Sequence, residues 1–311
     1  MLIGIDLGGT KIEGVVLNEQ GHIAQRLRVP TPKKNYSATL ACITDLVRQL
    51  EGEFPELIKQ QTIGVATPGS VSTLTGKMKN CNSTCLNDRT LQQDLEQLIK
   101  KQVRIANDAD CFTLSEAVDG AAKDMPTVFG VILGTGVGGG ICVNRQLLTG
   151  PNRIVGEWGH NPMPSTDSRA AGQQLVNAER SCYCGRVNCI EAYLSGPGFE
   201  HSYFLQTGER LSAIEIVVRS NAGEHAAMQV LDQYQDLLAR ALATIINILD
   251  PGVIILGGGL SNLSSLYTEV PARWSRYVFS DTVETRLLPA KFGDSSGVRG
   301  AAWLALGDLA E

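Results

Sequence analysis

LIGIDLGGTKIEGVVLN, at residues 2–18, is the most informative stretch of the sequence. Leu2 to Leu7 is an apolar run that predicts a buried strand, and Gly8-Gly9 predicts the turn that ends it. Lys11 to Asn18 predicts a returning strand, and a third strand-like run ends at Val29. The chain is therefore predicted to begin with a meander of three strands.

A second unit of strand, glycine turn and strand occurs in the middle of the chain. Its parts are Val128 to Leu133, Gly134-Thr135-Gly136 and Gly138 to Val143. Both units end in asparagine, at Asn18 and Asn144, and this likeness indicates a duplicated architecture. We therefore expect two domains that face each other.

Helices and strands alternate along the rest of the chain. Apolar residues spaced by three and four predict amphipathic helices, and short apolar runs bounded by turns predict strands. The predicted helices are Ser37 to Leu50, Leu91 to Ile99, Cys111 to Val118, Leu231 to Leu249 and Val298 to Leu309, and the predicted strands are Ile63 to Ala66, Val103 to Ala106 and Val253 to Leu256. This alternation predicts an α/β fold. The first domain should span residues 1–120 with a returning helix at 297–311, and the larger second domain residues 121–296.

Length and composition exclude several classes of protein. The chain has 311 residues, of which 43% are hydrophobic, 19% are charged and 33 are glycine. These values are typical of a globular protein and exclude a disordered or collagen-like chain. The net charge is −5, whereas proteins that bind nucleic acid or an anionic membrane usually carry a basic surface patch. Neither partner is therefore expected.

The sequence also predicts where the protein resides. The N-terminal segment has no basic region followed by a cleavage site, so no secretion signal is predicted. The longest uncharged stretch, Thr127 to Asn144, contains six glycines and suits two short strands better than a membrane helix. Eight cysteines without a signal peptide predict reduced thiols. We therefore expect a cytoplasmic protein.

Three glycine-rich turns each follow a predicted strand, at Gly8-Gly9-Thr10, Gly134-Thr135-Gly136 and Gly257-Gly258-Gly259. One such turn would indicate only a tight hairpin, but three favour backbone N–H groups that receive phosphate oxygens. The sequence lacks a Walker A loop, and the first two turns lead into strands rather than into a Rossmann helix. Asp6, just before the first turn, is suited either to holding Mg²⁺ through water or to capping the turn.

Asn107-Asp108 follows a predicted strand and precedes a predicted helix. In that position Asp108 is explained as a helix N-cap. Beside phosphate-binding turns, however, the same carboxylate is placed to accept a proton from a substrate hydroxyl. The glycine turns favour this second interpretation.

Three cysteines, Cys182, Cys184 and Cys189, lie close together, and His160 lies upstream of them. Three thiolates and one imidazole complete a tetrahedral zinc shell, which leaves no open position for catalysis and so predicts structural Zn²⁺. The alternative is a set of reduced core cysteines with a hydrogen-bonded histidine. The remaining thiols are interpreted as small buried hydrophobes, namely Cys42, Cys81, Cys85, Cys111 and Cys142.

Taken together, these motifs resemble the ROK family of sugar kinases and repressors. The resemblance spans nearly the whole chain and rests on the first glycine turn, Glu157-Trp158-Gly159-His160, the run from Cys182 to Glu191, and Gly257-Gly258-Gly259. It implies an actin-like ATPase (ribonuclease H-like) fold of two α/β domains with mixed sheets, in which ATP and a hexose meet in a cleft. It also implies a homodimer.

The resemblance assigns roles to individual residues. Asp108 matches the family's catalytic base, and His160 would serve both zinc and sugar. The implied sugar contacts are Asn82, Asn107, Glu157, His160 and Glu191, and the implied ATP and Mg²⁺ site is Asp6, Gly8, Gly9, Thr10, Lys11, Gly134, Thr135, Gly136, Gly257, Gly258 and Gly259. Two positions depart from the family pattern, since Asn188 and Ala66 both stand where glycine is usual. Asparagine tolerates the left-handed conformation, so the metal site is retained.

Two classes of function fit the family. A sugar-sensing transcriptional regulator needs a DNA-binding segment ahead of the first glycine turn, and Asp6 leaves no room for one. The presence of Asp108 argues against a purely sugar-binding module, so we expect an ATP-dependent hexose kinase.

Lys79 to Thr84 and Glu157 to Pro162 look most like the fructokinase or mannokinase branch, which predicts that fructose is converted to fructose 6-phosphate. N-acetylglucosamine kinase and glucokinase are the alternatives.

Overall fold

The computed structural model describes residues 1–164 and 179–307. Its chain divides into two compact units. The first consists of Met1–Gly130, Gly140–Gly156 and Ala290–Glu311, and the second of Val131–Gly139 and Glu157–Pro289. Each unit therefore gathers segments that are far apart in the sequence.

The first sheet has five strands, in the order β3-β2-β1-β4-β7. β1 pairs antiparallel with β2 and parallel with β4, so the sheet is mixed, as predicted. Because the glycine turns are short, β1 to β3 form the predicted meander, while β4 reaches the far side of β1 only after a helix. The strands of this unit are β1 (Leu2–Leu7), β2 (Lys11–Leu17), β3 (Ile23–Pro30), β4 (Thr62–Thr67), the short β5 (Ser70–Val71) and β6 (Met78–Lys79), and β7 (Gln102–Asn107).

The second sheet also has five strands, in the order β10-β9-β8-β11-β12. Its central strands are the predicted second repeat and the strand before the third glycine turn. β11 and β12 run parallel, whereas β9 and β10 are antiparallel. The strands are β8 (Thr127–Leu133), β9 (Val137–Val143), β10 (Gln146–Leu147), β11 (Val253–Gly257) and β12 (Arg286–Pro289).

The helices agree in part with the predicted ones. The long helix begins at His225, ahead of the predicted Leu231, because the preceding turn is still amphipathic. The last helix begins at Ser296 and ends at Leu304, not at Leu309, which lies outside the described residues. The helices are α1 (Tyr36–Glu53), α2 (Leu91–Ile99), α3 (Asp108–Val118), α4 (Glu191–Leu194), α5 (Gly196–Thr207), α6 (Ala213–Asn221), α7 (His225–Leu249), α8 (Leu266–Trp274) and α9 (Ser296–Leu304).

The core of the first unit lies between the first sheet and helices α1 and α2. Ile3 and Ile5 on β1 are fully buried, and they pack in one cluster with Ile43 and Leu46 of α1 and Leu91 of α2. Burying side chains of this size stabilises the fold by about 1.5–3 kcal/mol each. Within the described ranges, no helix is long and apolar enough to span a membrane.

Glycine is required where α9 crosses α3. A Cβ atom at Gly300 would overlap the backbone carbonyl of Cys111. We expect Gly300→Ala to lower the midpoint of thermal unfolding by about 5 °C or more, because an overpacked core costs about 1–3 kcal/mol. Gly52→Ala is the matched control, since a Cβ there has no neighbour within 4 Å, and it should leave the midpoint unchanged or slightly higher. Equal midpoints for the two variants would contradict the close approach.

Candidate functional site

The first glycine turn is fixed at both ends by hydrogen bonds. The Gly8 N–H donates to the carbonyl of Lys11 at 3.0 Å, and the Thr31 hydroxyl donates to the carbonyl of Gly8 at 2.7 Å. The Thr31 N–H donates to the carbonyl of Thr10 at 3.0 Å. Gly9 and Thr10 are exposed at the tip. A rigid turn with exposed backbone can hold phosphate oxygens.

Asp6 and Asp108 influence each other at the end of β1. Burial, together with the nearby charges of Asp108 and Glu13, raises the pKa of Asp6 to about 7, although Lys11 acts in the opposite direction. Gly297 also lies beside Asp6, because a Cβ atom there would be 3.3 Å from its Oδ2. Carboxylates whose negative charges repel each other are suited to a divalent cation, which favours their charged forms.

Asn107, and not Asp108, is the N-cap residue of α3. The Asn107 side chain accepts a hydrogen bond from the Ala109 N–H at 2.9 Å. Asp108 is the first residue of the helix, and its Oδ1 accepts from the same N–H at 2.8 Å. Its side chain is exposed. The capping explanation for Asp108 is therefore only partly right, because the helix already has a cap and the carboxylate reaches solvent.

Asn82, which the resemblance assigns to the sugar, lies near the first glycine turn. It lines a cavity of about 210 Å³ together with Gly9, Lys33 and Lys34. A Cβ atom at Gly9 would be 3.9 Å from the Ser83 hydroxyl, so the loop that carries Asn82 borders the turn. The structure thus groups Asn82 with the predicted phosphate-binding residues of the first unit.

The second glycine turn is joined to the helix that carries Glu191. The Gly134 N–H donates to the carbonyl of Gly136 at 3.0 Å, and the Gly196 N–H donates to the carbonyl of Gly134 at 2.8 Å. Glu191 Oε2 accepts a hydrogen bond from the Val137 N–H at 3.0 Å. The turn at Gly134-Thr135-Gly136 and the predicted sugar contact Glu191 are therefore neighbours in the second unit.

The third glycine turn lies at the end of the strand next to β8. Gly258 has a φ of +81°, and a Cβ atom there would overlap the carbonyl of Leu133, the last residue of β8. Gly259, in contrast, borders open space. Gly257-Gly258-Gly259 and Gly134-Thr135-Gly136 thus follow adjacent strands of one sheet, where ligands of α/β proteins commonly bind.

His160 ends a short 3₁₀ turn, Trp158–His160, which lies against β9, and Glu157 is the N-cap residue of this turn. The indole N–H of Trp158 donates to the carbonyl of Gly138 at 3.0 Å. Gly159 packs so closely on Val137 that a side chain there would overlap its carbonyl. This packing holds His160 near the second glycine turn.

His160, Cys182, Cys184 and Cys189 form the predicted cluster. One ligand atom from each residue lies within 4.8 Å of all the others. His160 Nδ1 is 3.6 Å from the sulfur of Cys182, and the sulfurs of Cys184 and Cys189 are 3.7 Å apart. Three sulfurs and one imidazole nitrogen at these separations suit tetrahedral zinc.

The cluster thiols differ in how readily they ionise. A hydrogen bond from the Arg186 backbone lowers the pKa of Cys184 to about 6, whereas burial raises the pKa of Cys182 to about 12. A metal ion binds thiolates, so it would displace the proton of Cys182. Metal binding at the cluster would therefore be pH-dependent and would release this proton.

Tyr183 is a neighbour of His160 that the sequence analysis missed. Its hydroxyl is 3.1 Å from His160 Nε2, and the two rings meet edge to face at 5.2 Å. His160 therefore directs Nδ1 to the thiols and Nε2 to the Tyr183 hydroxyl, and its predicted contact with the sugar stays a prediction. The sequence indicated Tyr183 only by its position between Cys182 and Cys184, two of the predicted metal ligands.

Glu13 is the second missed residue. It stands opposite Asp6 and Arg28 in the strand register, so the three share one face of the sheet. Its carboxylate is almost fully buried and lies 2.6 Å from Arg28 Nε and 3.5 Å from Lys11 Nζ. Lys11, a predicted phosphate contact, is thereby held beside the first glycine turn. The sequence indicated a special role for Glu13 only by placing a charged residue inside an otherwise apolar strand.

The predicted site residues thus form two groups, one in each unit. The comparison with known proteins bears on both groups, because the model of the ROK family matches residues 2–308. This chain belongs to the ROK family. The predicted actin-like ATPase fold is confirmed, since the crystal structure of a ROK hexokinase from Thermus thermophilus superposes with a TM-score of 0.84. That protein is 26% identical, and the alignment covers 98% of each chain.

Curated relatives within the ROK family are more similar in sequence. The chain is 42% identical to an N-acetyl-D-glucosamine kinase of Vibrio atlanticus, over 98% of this chain and 99% of the relative. It is 39% identical to an N-acetyl-D-glucosamine kinase of Pectobacterium atrosepticum, over 99% of this chain and all of the relative. The chain thus matches these ROK kinases over their full length.

Proposed function

We propose that this ROK protein is an ATP-dependent sugar kinase that transfers the γ-phosphoryl group of ATP to a sugar hydroxyl. The observation that carries the proposal is the exposed carboxylate of Asp108, which is electrostatically coupled to Asp6 beside the first glycine turn. Kinase names among relatives that align over their full length support it. In this proposal Asp108 accepts the proton of the attacking hydroxyl.

The glycine turns and Asp6 would serve the nucleotide. Exposed backbone N–H groups at Gly9 and Thr10 suit phosphate oxygens, and Lys11 adds a positive charge held by Glu13. Mg²⁺ bound through Asp6 would neutralise charge on the phosphates. Glu157, His160 and Glu191 are the proposed contacts to sugar hydroxyls, on the family resemblance.

The Cys3His cluster is proposed to hold structural Zn²⁺. Four protein ligands would fill a tetrahedral shell, so the metal would have no open position for substrate. Its role would be to fix the loop that ends at Glu191, because Cys182 Sγ is itself 3.7 Å from Glu191 Oε1. The homodimer implied by the resemblance stays a prediction.

N-acetyl-D-glucosamine is the proposed phosphate acceptor. The relatives at 42% and 39% identity carry that name, which favours the alternative over the fructose expected from Lys79 to Thr84 and Glu157 to Pro162. Fructose remains the second candidate because of those two motifs. N-acetyl-D-glucosamine is an aldose with an acetamido group at C2, whereas fructose is a ketose whose anomeric carbon is C2. A pocket distinguishes them by its shape and by the polar groups that receive the acetamido group.

A substrate panel tests this proposal. We expect kcat/KM for N-acetyl-D-glucosamine to exceed that for fructose by about tenfold or more, because a pocket built for the amide leaves polar groups unpaired with fructose. The assay couples ADP release to NADH oxidation, with mannose and glucose included and the Asp108→Asn protein as a control for contaminating kinases. A preference for fructose would overturn the proposed phosphate acceptor but not the proposed kinase activity. Failure to phosphorylate any of these sugars would overturn the proposed kinase activity.

A further inference from the structure

Asn188 occupies a left-handed position inside the cysteine loop. Its φ is +57°, a conformation in which glycine carries no steric cost. If backbone conformation were the only requirement, glycine would suit the position at least as well as asparagine.

The side chain of Asn188 accepts two hydrogen bonds with the same oxygen. The Arg180 N–H donates to Oδ1 at 2.9 Å, and the Tyr193 hydroxyl donates to it at 2.8 Å. The backbone adds two more bonds, because the Asn188 N–H donates to the Arg180 carbonyl and the Met163 N–H donates to the Asn188 carbonyl, both at 2.8 Å. One residue therefore joins three separate segments.

Arg180 is a rigid anchor for one of these segments. It is 5% exposed, and its guanidinium donates to the carbonyls of Ala192 and Gly198 at 3.0 and 3.1 Å. The same group donates to the Ser202 hydroxyl at 3.0 Å and lies 4.2 Å from the centre of the Tyr193 ring. Tyr193 is 1% exposed. Both donors to Asn188 Oδ1 are thus held in place before any ligand binds.

Each joined segment carries a group of the candidate site. Met163 follows His160, Arg180 precedes Cys182, and Tyr193 shares a helix with Glu191. We propose that Asn188 is a positioning residue whose side chain holds the metal ligands and Glu191 in register. The link to Glu191 rests on the proposed kinase function, whereas the link to the metal ligands does not.

The test compares Asn188→Gly with Asn188→Asp. Glycine keeps the left-handed backbone but removes the acceptor, whereas aspartate keeps an acceptor for both bonds. Two readouts need no substrate, namely the midpoint of thermal unfolding and the rate at which a chromogenic chelator removes Zn²⁺ from the loaded protein. We expect Asn188→Gly to release zinc about tenfold faster and to unfold at a lower temperature, because groups that orient metal ligands typically contribute 10–100-fold to affinity. Asn188→Asp should stay close to wild type in both.

A double-mutant cycle with Tyr193→Phe isolates the side-chain bond. Tyr193→Phe should lower the midpoint in the wild-type background and have little further effect beside Asn188→Gly. Tyr277→Phe is the matched control, because its hydroxyl donates to Asp236 and its effect should simply add. A third readout is steady-state kinetics, in which Asn188→Gly should raise the sugar KM more than it lowers kcat.

Two outcomes would overturn the proposal. One is an Asn188→Gly protein as stable as wild type or more so, with an unchanged rate of zinc release. The other is full additivity of Asn188→Gly and Tyr193→Phe. A protein that binds no zinc would contradict the zinc proposal alone, since the thermal cycle still decides the role of Asn188. A protein that phosphorylates no sugar would likewise leave that cycle valid.

Discussion

Asp108→Asn is expected to lower kcat for sugar phosphorylation by about 10² or more while the sugar dissociation constant stays within about tenfold. The amide has the shape of the carboxylate but cannot accept the proton of the attacking hydroxyl. It can still accept the hydrogen bond from the Ala109 N–H, so α3 should keep its first turn. The loss therefore belongs to the chemical step and not to the fold.

Asp110→Asn is the matched control for this variant. Asp110 lies in the same first turn of α3, so both substitutions remove one negative charge at the same helix end. We expect Asp110→Asn to retain kcat within about threefold, since helix-end charges contribute about 0.3–1 kcal/mol. Coupled-assay kinetics and calorimetric sugar titration give the two parameters. An Asp108→Asn enzyme with more than about a tenth of wild-type kcat would remove Asp108 from the role of base.

The first sheet shows which parts of the fold are local. The strand Leu2–Leu7 and its turn were predicted correctly, because an apolar run and paired glycines act over a few residues. The position of β4 between β1 and β7 could not be predicted, since it depends on pairing between segments separated by helices. The register that places Glu13 opposite Asp6 was not predicted either, because it depends on the geometry of the turn that joins β1 and β2.

Helices after the cysteine loop show a different limit. Gly196-Pro197-Gly198 looks like a turn, yet it opens α5 because Ser195 caps the helix and proline suits its first turn. The α6 helix was missed although Ser212 and Glu215 form a capping box, which is readable in the sequence. Capping patterns would thus have added a helix that hydrophobic periodicity did not reveal.

The candidate site was predictable where one residue type defines the chemistry. Cysteine and histidine spacing indicated the cluster, and the structure brings Cys182 and His160 together. The partners of those residues were not predictable, because Tyr183 and Asn188 act through hydrogen bonds that depend on the folded loop. Asn188 was treated as a tolerated departure, whereas its side-chain oxygen is an acceptor for two buried donors.

Removal of the metal is expected to have the largest effect on stability. Binding of a structural zinc ion contributes about 10–16 kcal/mol to the folded state. Without the metal, the cysteine loop would keep its backbone hydrogen bonds and two isolated bridges, Ser181 with Val187 and Pro162 with Cys189, but it would lose the ion that joins its four ligands. Cys184→Ser should therefore lower the zinc content from about one ion per chain to nearly none, because an alcohol is a poor zinc ligand.

Cys184→Ser should also lower the thermal midpoint and weaken sugar binding together, since the loop ends at Glu191, whose carboxylate accepts a hydrogen bond from the Val137 N–H directly after the second glycine turn. Cys42→Ser is the control, because Cys42 is a free thiol on α1 outside the cluster and should leave the zinc content unchanged. Elemental analysis of protein from zinc-replete cells measures the ion directly, and calorimetry measures the sugar. Protein that lacks stoichiometric zinc would refute the assignment of these four residues as zinc ligands. Zinc loss without weaker sugar binding would separate the metal from Glu191 and confine its role to the stability of the loop.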